Sequence, residues 1–244
     1  FIPLLYGALI CTALGIFPQI FIEKIEDITF QEGIAISVLG WIVTCLTGMI
    51  PYFMWGGEFT LANSLFESVS GFTTTGATIL NNVEILPKGL LFWRASTHFI
   101  GGIGIILFVL VILPEKRGVR SSIYHSEVSG LSMLNFRMKT KEIANIIVIV
   151  YISLIAVETI LLKIFGMNWF DAVCHSFATV ATGGFSTKNT SVAYFNNISI
   201  EIIIMFFMLI SSMHFGLIYN TIRGRKLNIF TSSVVRSYVI VMFI

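Results

Sequence analysis

Thr73, Thr74, Thr75 and Gly76 stand in a row inside "SVSGFTTTGATIL", and Thr182, Gly183 and Gly184 stand inside "VATGGFS". Neither stretch holds a nucleophile paired with a base, and neither has metal-ligand spacing of His, Cys, Asp or Glu. What both offer is oxygen: hydroxyls, and backbone carbonyls on residues of unusual stiffness or freedom. Threonine stiffens an extended backbone through its β-branch, and glycine reaches angles that other residues avoid. Such carbonyls, turned inward, replace the water shell of a dehydrated monovalent cation. Placing Gly76 over Gly184 sets Thr74 on Thr182, Thr78 on Ser186, Ser68 on Ser176, Asn63 on Asp171 and Phe72 on Val180, an offset of 108 residues. The competing reading of Thr73–Thr78 is a loop or helix-packing segment, since hydroxyl residues also pack membrane helices together.

These oxygens must be positioned by elements suited to lipid. The chain is 244 residues long, 56% hydrophobic and only 11% charged, with a mean hydropathy of +0.89. A soluble domain of this size needs more charge to solvate its surface, so the expectation is a multi-pass integral membrane protein. A net charge of +2 gives no reason to expect a nucleic-acid partner. Apolar runs at Phe1–Ile22, Ile34–Trp55, Gly89–Leu113, Ile143–Phe165 and Ile198–Ile222 are long enough to cross a bilayer. A further run begins near Ser233. They are expected to be helices, because a lone strand leaves its backbone unsatisfied in lipid. Leu61–Phe72 and Asn168–Val180 are too short to span and read as re-entrant half-helices, each leading into one oxygen-rich segment. The unit is therefore helix, half-helix, polar strand, helix, and it occurs twice. Its bounds give an N-terminal helix and linker at 1–33, a first repeat with its cytoplasmic linker at 34–142, a second repeat at 143–232 and the start of a third at 233–244. With no initiator Met at one end and an apolar run barely begun at the other, both ends are expected to be cut.

Nine of the fifteen basic residues lie in Pro114–Glu142 (Lys116, Arg117, Arg120, Arg137, Lys139, Lys141) and after the fifth run (Arg223, Arg225, Lys226). The excess assigns those linkers to the cytoplasm and the half-helices to the outer side. The linker Glu23–Gly33 fits poorly, with Lys24 against four acids, although acids weigh little in this rule. A half-helix entering from outside aims its C-terminal carbonyls, which carry partial negative charge, at the middle of the membrane. That end favours a cation, and Thr73–Gly76 and Thr182–Gly184 read as two walls of a cation filter.

The stretches "SLFESVSGFTTTGAT", "FDAVCHSFATVATGGFS" and "FWRASTHFIGGIGIILFVLVILP" together resemble the Trk/Ktr family of potassium transporters, within it the TrkH-type translocating subunit. The resemblance covers essentially the whole chain. It implies an all-α membrane fold of repeated helix, half-helix, filter and helix units, four of them forming a potassium-channel-like pseudo-tetramer around one pore. This chain holds two complete units and the start of a third. The resemblance further implies potassium-binding oxygens on Thr74, Thr75, Thr182 and Gly183, with Gly76 and Gly184 as filter glycines. It implies translocation of K+ across the plasma membrane (the bacterial inner membrane), with K+ as the transported ion and no organic cofactor. Membrane lipid, a second copy in a homodimer and a cytoplasmic nucleotide-binding regulatory subunit are the partners it implies. A sodium-dependent Ktr-like system or another monovalent cation permease is the alternative; filters without a carboxylate ring favour potassium over divalent ions.

The remaining polar residues divide between support and packing. Thr73 belongs to the first filter segment. Arg94 and His98 lie four apart on one helix face. Arg94 either holds the filter loop by bonding carbonyls or snorkels to the interface, and Glu67 is placed to pair with it. His175 reads as a hydrogen-bonded packing residue. His214 either faces the pore below the filter or bonds a neighbouring helix. Glu158 and Lys163 read as an interfacial or interhelical pair. "GGIG" (Gly101–Gly104) lies within a spanning run with no strand before it, so it reads as close helix packing rather than a phosphate loop. Cys11, Cys45 and Cys174 read as small apolar fillers. Ser211, Ser212 and His214 would be needed for an intramembrane enzyme, but two or three residues apart on a helix they do not converge. No G-x-S-x-G elbow or H-E-x-x-H pair occurs, so the expectation is not an enzyme.

Overall fold

The computed structural model describes residues 2–21, 30–112, 140–224 and 229–242. Much of the basic Pro114–Glu142 linker, most of Glu23–Gly33, and Arg225 and Lys226 lie outside the described residues. The described helices are α1 (Ile2–Phe21), α2 (Phe30–Gly48), α3 (Ile50–Trp55), α4 (Leu61–Phe72), α5 (Lys88–Ile112), α6 (Thr140–Ile164), α7 (Trp169–Val180), α8 (Ile198–Ser211), α9 (Phe215–Ile222) and α10 (Ser233–Met242). By length and composition Gln31–Trp55 and Ala144–Ile164 can each cross a bilayer. At 1.5 Å per residue the 25-residue α5 is about 37 Å long, also enough. Ile36, Leu39, Ile42 and Val43 on α2 and Ile149, Ile152 and Ile160 on α6 are exposed. An apolar outer face of this extent suits lipid and not water.

One expected span is interrupted but still crosses, and another is sharply bent. Gly48 ends α2 and Met49 separates it from α3, with Pro51 in the first turn of the new helix. Proline cannot donate the bond that would carry the helix through, so the axis adjusts there. The larger correction concerns Ile198–Ile222: α8 and α9 meet at 103°. Ser212 caps the end of α8. His214 starts α9, its Nδ1 accepting the Gly216 N–H at 3.1 Å and its carbonyl accepting the Leu217 N–H at 2.8 Å. The helix restarts in a new direction because a side chain supplies its first acceptor.

α5 lies between the two repeats and packs on both α4 and α7, while α6 packs on α7, α8 and α9. The buried residues of one apolar cluster, including Tyr151, Ile155, Val180, Phe215 and Ile218, join α6 to the second half-helix and α9. The glycines of "GGIG" serve this packing. A Cβ on Gly101 would meet the backbone of Phe72, at the end of the first half-helix. One on Gly102 would lie 2.8 Å from the Tyr151 hydroxyl and 2.9 Å from the Ala181 side chain. The expected Glu158–Lys163 pair does not form. Five residues on a helix are about 140° apart, so the two point to different sides. Glu158 is fully buried with no hydrogen-bond partner among the described residues, and Lys163 lies 5.8 Å above the Trp169 ring. Cys45 and Cys174 are buried, and Cys11 is exposed.

Candidate cation filter

The two half-helices are built alike. α4 and α7 each run for 12 residues. Thr60 caps the first, accepting the Asn63 N–H at 3.3 Å, and Asn168 caps the second, accepting the Asp171 N–H at 2.9 Å. All four residues are related by the same 108-residue offset. At the other end three backbone N–H groups fold back onto the last turn of the helix. Those of Thr73, Thr74 and Thr75 donate to the carbonyls of Val69, Gly71 and Ser70 at 2.9, 3.0 and 2.9 Å. Those of Ala181, Thr182 and Gly183 donate to Phe177, Thr179 and Ala178 at 3.3, 2.9 and 2.8 Å. Each bond has its counterpart at the same offset.

This folding back corrects the expectation of an extended strand. Thr74 has φ 52° and Thr182 φ 55°, while Gly76 and Gly184 have φ 76° and 94°. The intervening Thr75 and Gly183 keep negative φ, so the sign alternates from residue to residue. For a β-branched residue the left-handed region is a strained conformation, costing about 1–3 kcal/mol. In a trans peptide the carbonyl points opposite to the N–H it is joined to. With the N–H groups turned toward the half-helix, the carbonyls of Thr73, Thr74, Ala181 and Thr182 turn away from it. Among the described residues no hydrogen bond ends on those carbonyls. The two segments also meet: a Cβ placed on Gly76 would collide with the Gly183 carbonyl oxygen. Sequence positions 107 residues apart are thus face to face.

Behind the first segment sits a buried charged network. Glu67 accepts from Arg94 Nε at 2.7 Å, from Thr78 Oγ1 at 2.9 and 3.0 Å, and from the Ile79 N–H at 3.2 Å. Arg94 and Glu67 are 2% and 0% exposed, so each charge is compensated by the other out of water. The other guanidinium nitrogens donate to Thr78 Oγ1 at 3.3 Å and to the Ser186 carbonyl, beyond the second segment, at 3.1 Å. The guanidinium also lies 4.1 Å above the Phe185 ring, which stacks on His98 at 4.1 Å. A Cβ on Gly183 would strike that His98 ring. In the second repeat His175 occupies the place of Glu67, with its Nε2 3.4 Å from Ser186 Oγ. Thr73 Oγ1 is held locally, donating to the Val69 carbonyl at 2.7 Å and lying 2.8 Å from Thr75 Oγ1. At the outer end Asn189 joins the repeats: its Oδ1 accepts the Val83 N–H at 2.7 Å and its Nδ2 donates to Asn82 Oδ1 at 2.8 Å.

Thr73, Thr74, Thr75, Gly76, Thr182, Gly183 and Gly184 therefore gather in one place, with Glu67 and Arg94 paired behind them. His214 takes a different part, as the cap of α9 at the break after α8. Sequence reading missed Thr97, Phe185 and the Ser186 carbonyl. The signal for part of this was available: Arg94, Thr97, His98, Gly101 and Gly102 follow the spacing of one helix face, the face of α5 that meets both filter ends. Thr97 fills the space a side chain at Gly71 would need. Among the described residues no group of three His, Cys, Asp or Glu converges. A cation held here would take carbonyl and hydroxyl oxygens.

Residues 7–240 match the TrkH family, described as "Cation transport protein". The chain is 37% identical over 206 residues to the Trk system potassium uptake protein TrkH of Escherichia coli K12, covering 84% of this chain and 43% of that protein. It is 35% identical over 204 residues to the protein of the same name from Halomonas elongata, covering 83% and 42%. The crystal structure of the potassium transporter TrkH from Vibrio parahaemolyticus superposes with a TM-score of 0.76 at 27% identity, over 98% of this chain and 49% of that one. The chain thus spans somewhat under half the length of these curated relatives. Helices, half-helices and sequence agree: this multi-pass membrane protein belongs to the TrkH family of cation transport proteins.

Proposed function

We propose that the chain supplies two walls of a potassium-selective filter, with K+ passing along Thr73–Gly76 and Thr182–Gly184. The observation that carries this is the duplicated turn. In both repeats the N–H groups are consumed by the half-helix and unbonded carbonyls face the opposite way, and the two segments meet at Gly76 and the Gly183 carbonyl. Oxygens of Thr74, Thr75, Thr182 and Gly183 replace water on the ion, and Gly76 and Gly184 allow the backbone reversal. The C-terminal ends of α4 and α7 add partial negative charge. No covalent step is involved. K+ is the cargo, moved down its electrochemical gradient across the plasma membrane.

A dehydrated ion needs oxygens on all sides, and two walls leave it open. Internal symmetry supports further walls. Arg94, Thr97 and His98 on α5 are at most 2% exposed because the second repeat lies on them. Their counterparts at the 108-residue offset, Ile202, Met205 and Phe206 on α8, are 55–56% exposed. That apolar face is where a third repeat would rest, as the family resemblance implies. The same resemblance supports a homodimer with a cytoplasmic nucleotide-binding regulatory subunit, and the Lys/Arg asymmetry supports an outer location for Asn81 and Asn189.

The test compares rubidium and sodium uptake by the complete protein and its Gly76→Ser and Gly184→Ser variants in a potassium-uptake-deficient strain. The expected result is rubidium preference in the parent and a weaker preference in both variants at equal membrane abundance. Unchanged preference in both would remove the filter assignment. Uptake that depends on added sodium would favour the Ktr-like alternative.

A further inference from the structure

We infer that Arg94 is a positioning residue that ties the two filter walls together and so sets the cation preference, an inference that rests on the filter reading above. Among the described residues, its side chain is the one buried side chain hydrogen-bonded on the sides of both walls. Nε and one terminal nitrogen hold the first wall through Glu67 and Thr78, and the other terminal nitrogen holds the second wall through the Ser186 carbonyl at 3.1 Å. The Phe185 ring gives the guanidinium a flat surface at 4.1 Å. Phe185 and Ser186 directly follow Gly184, so the brace fixes the second wall close to its ion-facing residues.

The chemistry requires an arginine. Its planar fork reaches three acceptors in different directions, and a lysine has one compact charge on a flexible stem. Glu67 neutralises the charge, which lets the fork sit in a buried place. The brace is also one-sided. At the 108-residue offset the place of Arg94 is taken by Ile202, and that of Glu67 by His175. Ile202 cannot make the same charge-assisted link for the second repeat. Selectivity between ions of different size depends on how far apart coordinating oxygens are held, or on how freely they adjust. A strut across two walls controls both.

The experiment uses the complete protein and three variants: Arg94→Lys, the double variant Glu67→Gln with Arg94→Gln, and Gly76→Ser as a marker of the filter itself. Rubidium and sodium uptake are measured in cells, with membrane abundance quantified for each variant. The double variant removes both buried charges together, which avoids stranding one charge. The expected result is a rubidium-over-sodium ratio lowered by about tenfold in Arg94→Lys and in the double variant, the change one lost charge-assisted hydrogen bond commonly produces. A parental ratio in both at normal abundance overturns the inference, and if Gly76→Ser lowers the ratio in the same assay the filter reading survives that loss. A parental ratio in Gly76→Ser counts against the filter reading instead. Failure of both Arg94 variants to reach the membrane also overturns the inference, because the pair is then a folding requirement.

Discussion

The first and second repeats share a backbone but differ in what stands behind it. Their half-helices, caps, folded-back N–H groups and left-handed threonines coincide at one offset. Thr78 and Ser186 even accept equivalent backbone N–H groups two residues on, from Leu80 at 3.2 Å and Lys188 at 3.0 Å. Behind the first segment, however, Ser70 Oγ donates to the Ala77 carbonyl at 2.6 Å, and Glu67 with Arg94 completes a charged brace. Behind the second, Ala178 stands in place of Ser70 and offers no hydroxyl. A cavity of about 270 Å³ opens there, lined by His175, Ala178, Thr179, Gly183, Phe185 and Met208 among others. The comparison teaches that the geometry of the turn is held constant by backbone hydrogen bonds, and that the support behind it is free to vary.

The largest effect is expected at the glycines, where the repeats diverge most. A side chain at Gly76 meets the Gly183 carbonyl, which is backbone and cannot step aside, and φ is 76°. A side chain at Gly184 meets nothing within 4 Å and suffers only from φ 94°. Gly76→Ser should lower rubidium-over-sodium preference by about 100-fold, and Gly184→Ser by about tenfold, the latter matching the roughly 1–2 kcal/mol of left-handed strain. Equal losses in uptake assays would break the comparison.

Next in size is Gly101→Ala. The added methyl would meet the Phe72 carbonyl and Cα, at the root of the first segment. Overpacking against backbone costs about 1–3 kcal/mol. A lowered melting temperature of the detergent-solubilised protein is expected. The equivalent position in the second repeat is already Leu209, partly exposed, and Leu209→Ala should change the melting temperature far less.

Ala178→Ser would sharpen the comparison by giving the second repeat the hydroxyl the first one has. Its hydroxyl is expected to donate to the Phe185 carbonyl, the counterpart of Ala77 for Ser70, and to stabilise by about 1 kcal/mol, seen as a rise in melting temperature. A fall would show that the two supporting regions differ in backbone as well as in side chains. The smallest effect is expected from Thr182→Gly. Relief of left-handed strain is opposed by the greater chain entropy of glycine, leaving a stability change within about 1 kcal/mol. The matching change at Thr74 should behave the same way, and a large difference in melting temperature between the two would argue that the shared turn is not equally strained.

Much of this was legible in the residues. Leu61–Phe72 was bounded to the residue, and the second half-helix to within one, because short semi-apolar runs between long apolar ones have few solutions in lipid. The repeat offset was legible from Gly76, Gly184 and their hydroxyl neighbours. The 103° bend was not, because "ISSMHFG" keeps the apolar average of a spanning helix while His214 supplies a new first acceptor. Glu158 and Lys163 were misjudged because proximity in sequence says little about which side of a helix each residue faces.

The sequence by itself determined a membrane-embedded helical protein with two equivalent oxygen-rich segments, since hydropathy and the positions of Thr and Gly are local properties. Only the tertiary structure decided that the turns fold back on their half-helices, that Gly76 meets the Gly183 carbonyl, and that Arg94 reaches from one wall to the other. Those depend on how α5 packs between the repeats. A helix face can be listed from spacing, but what it touches depends on the chain folded against it.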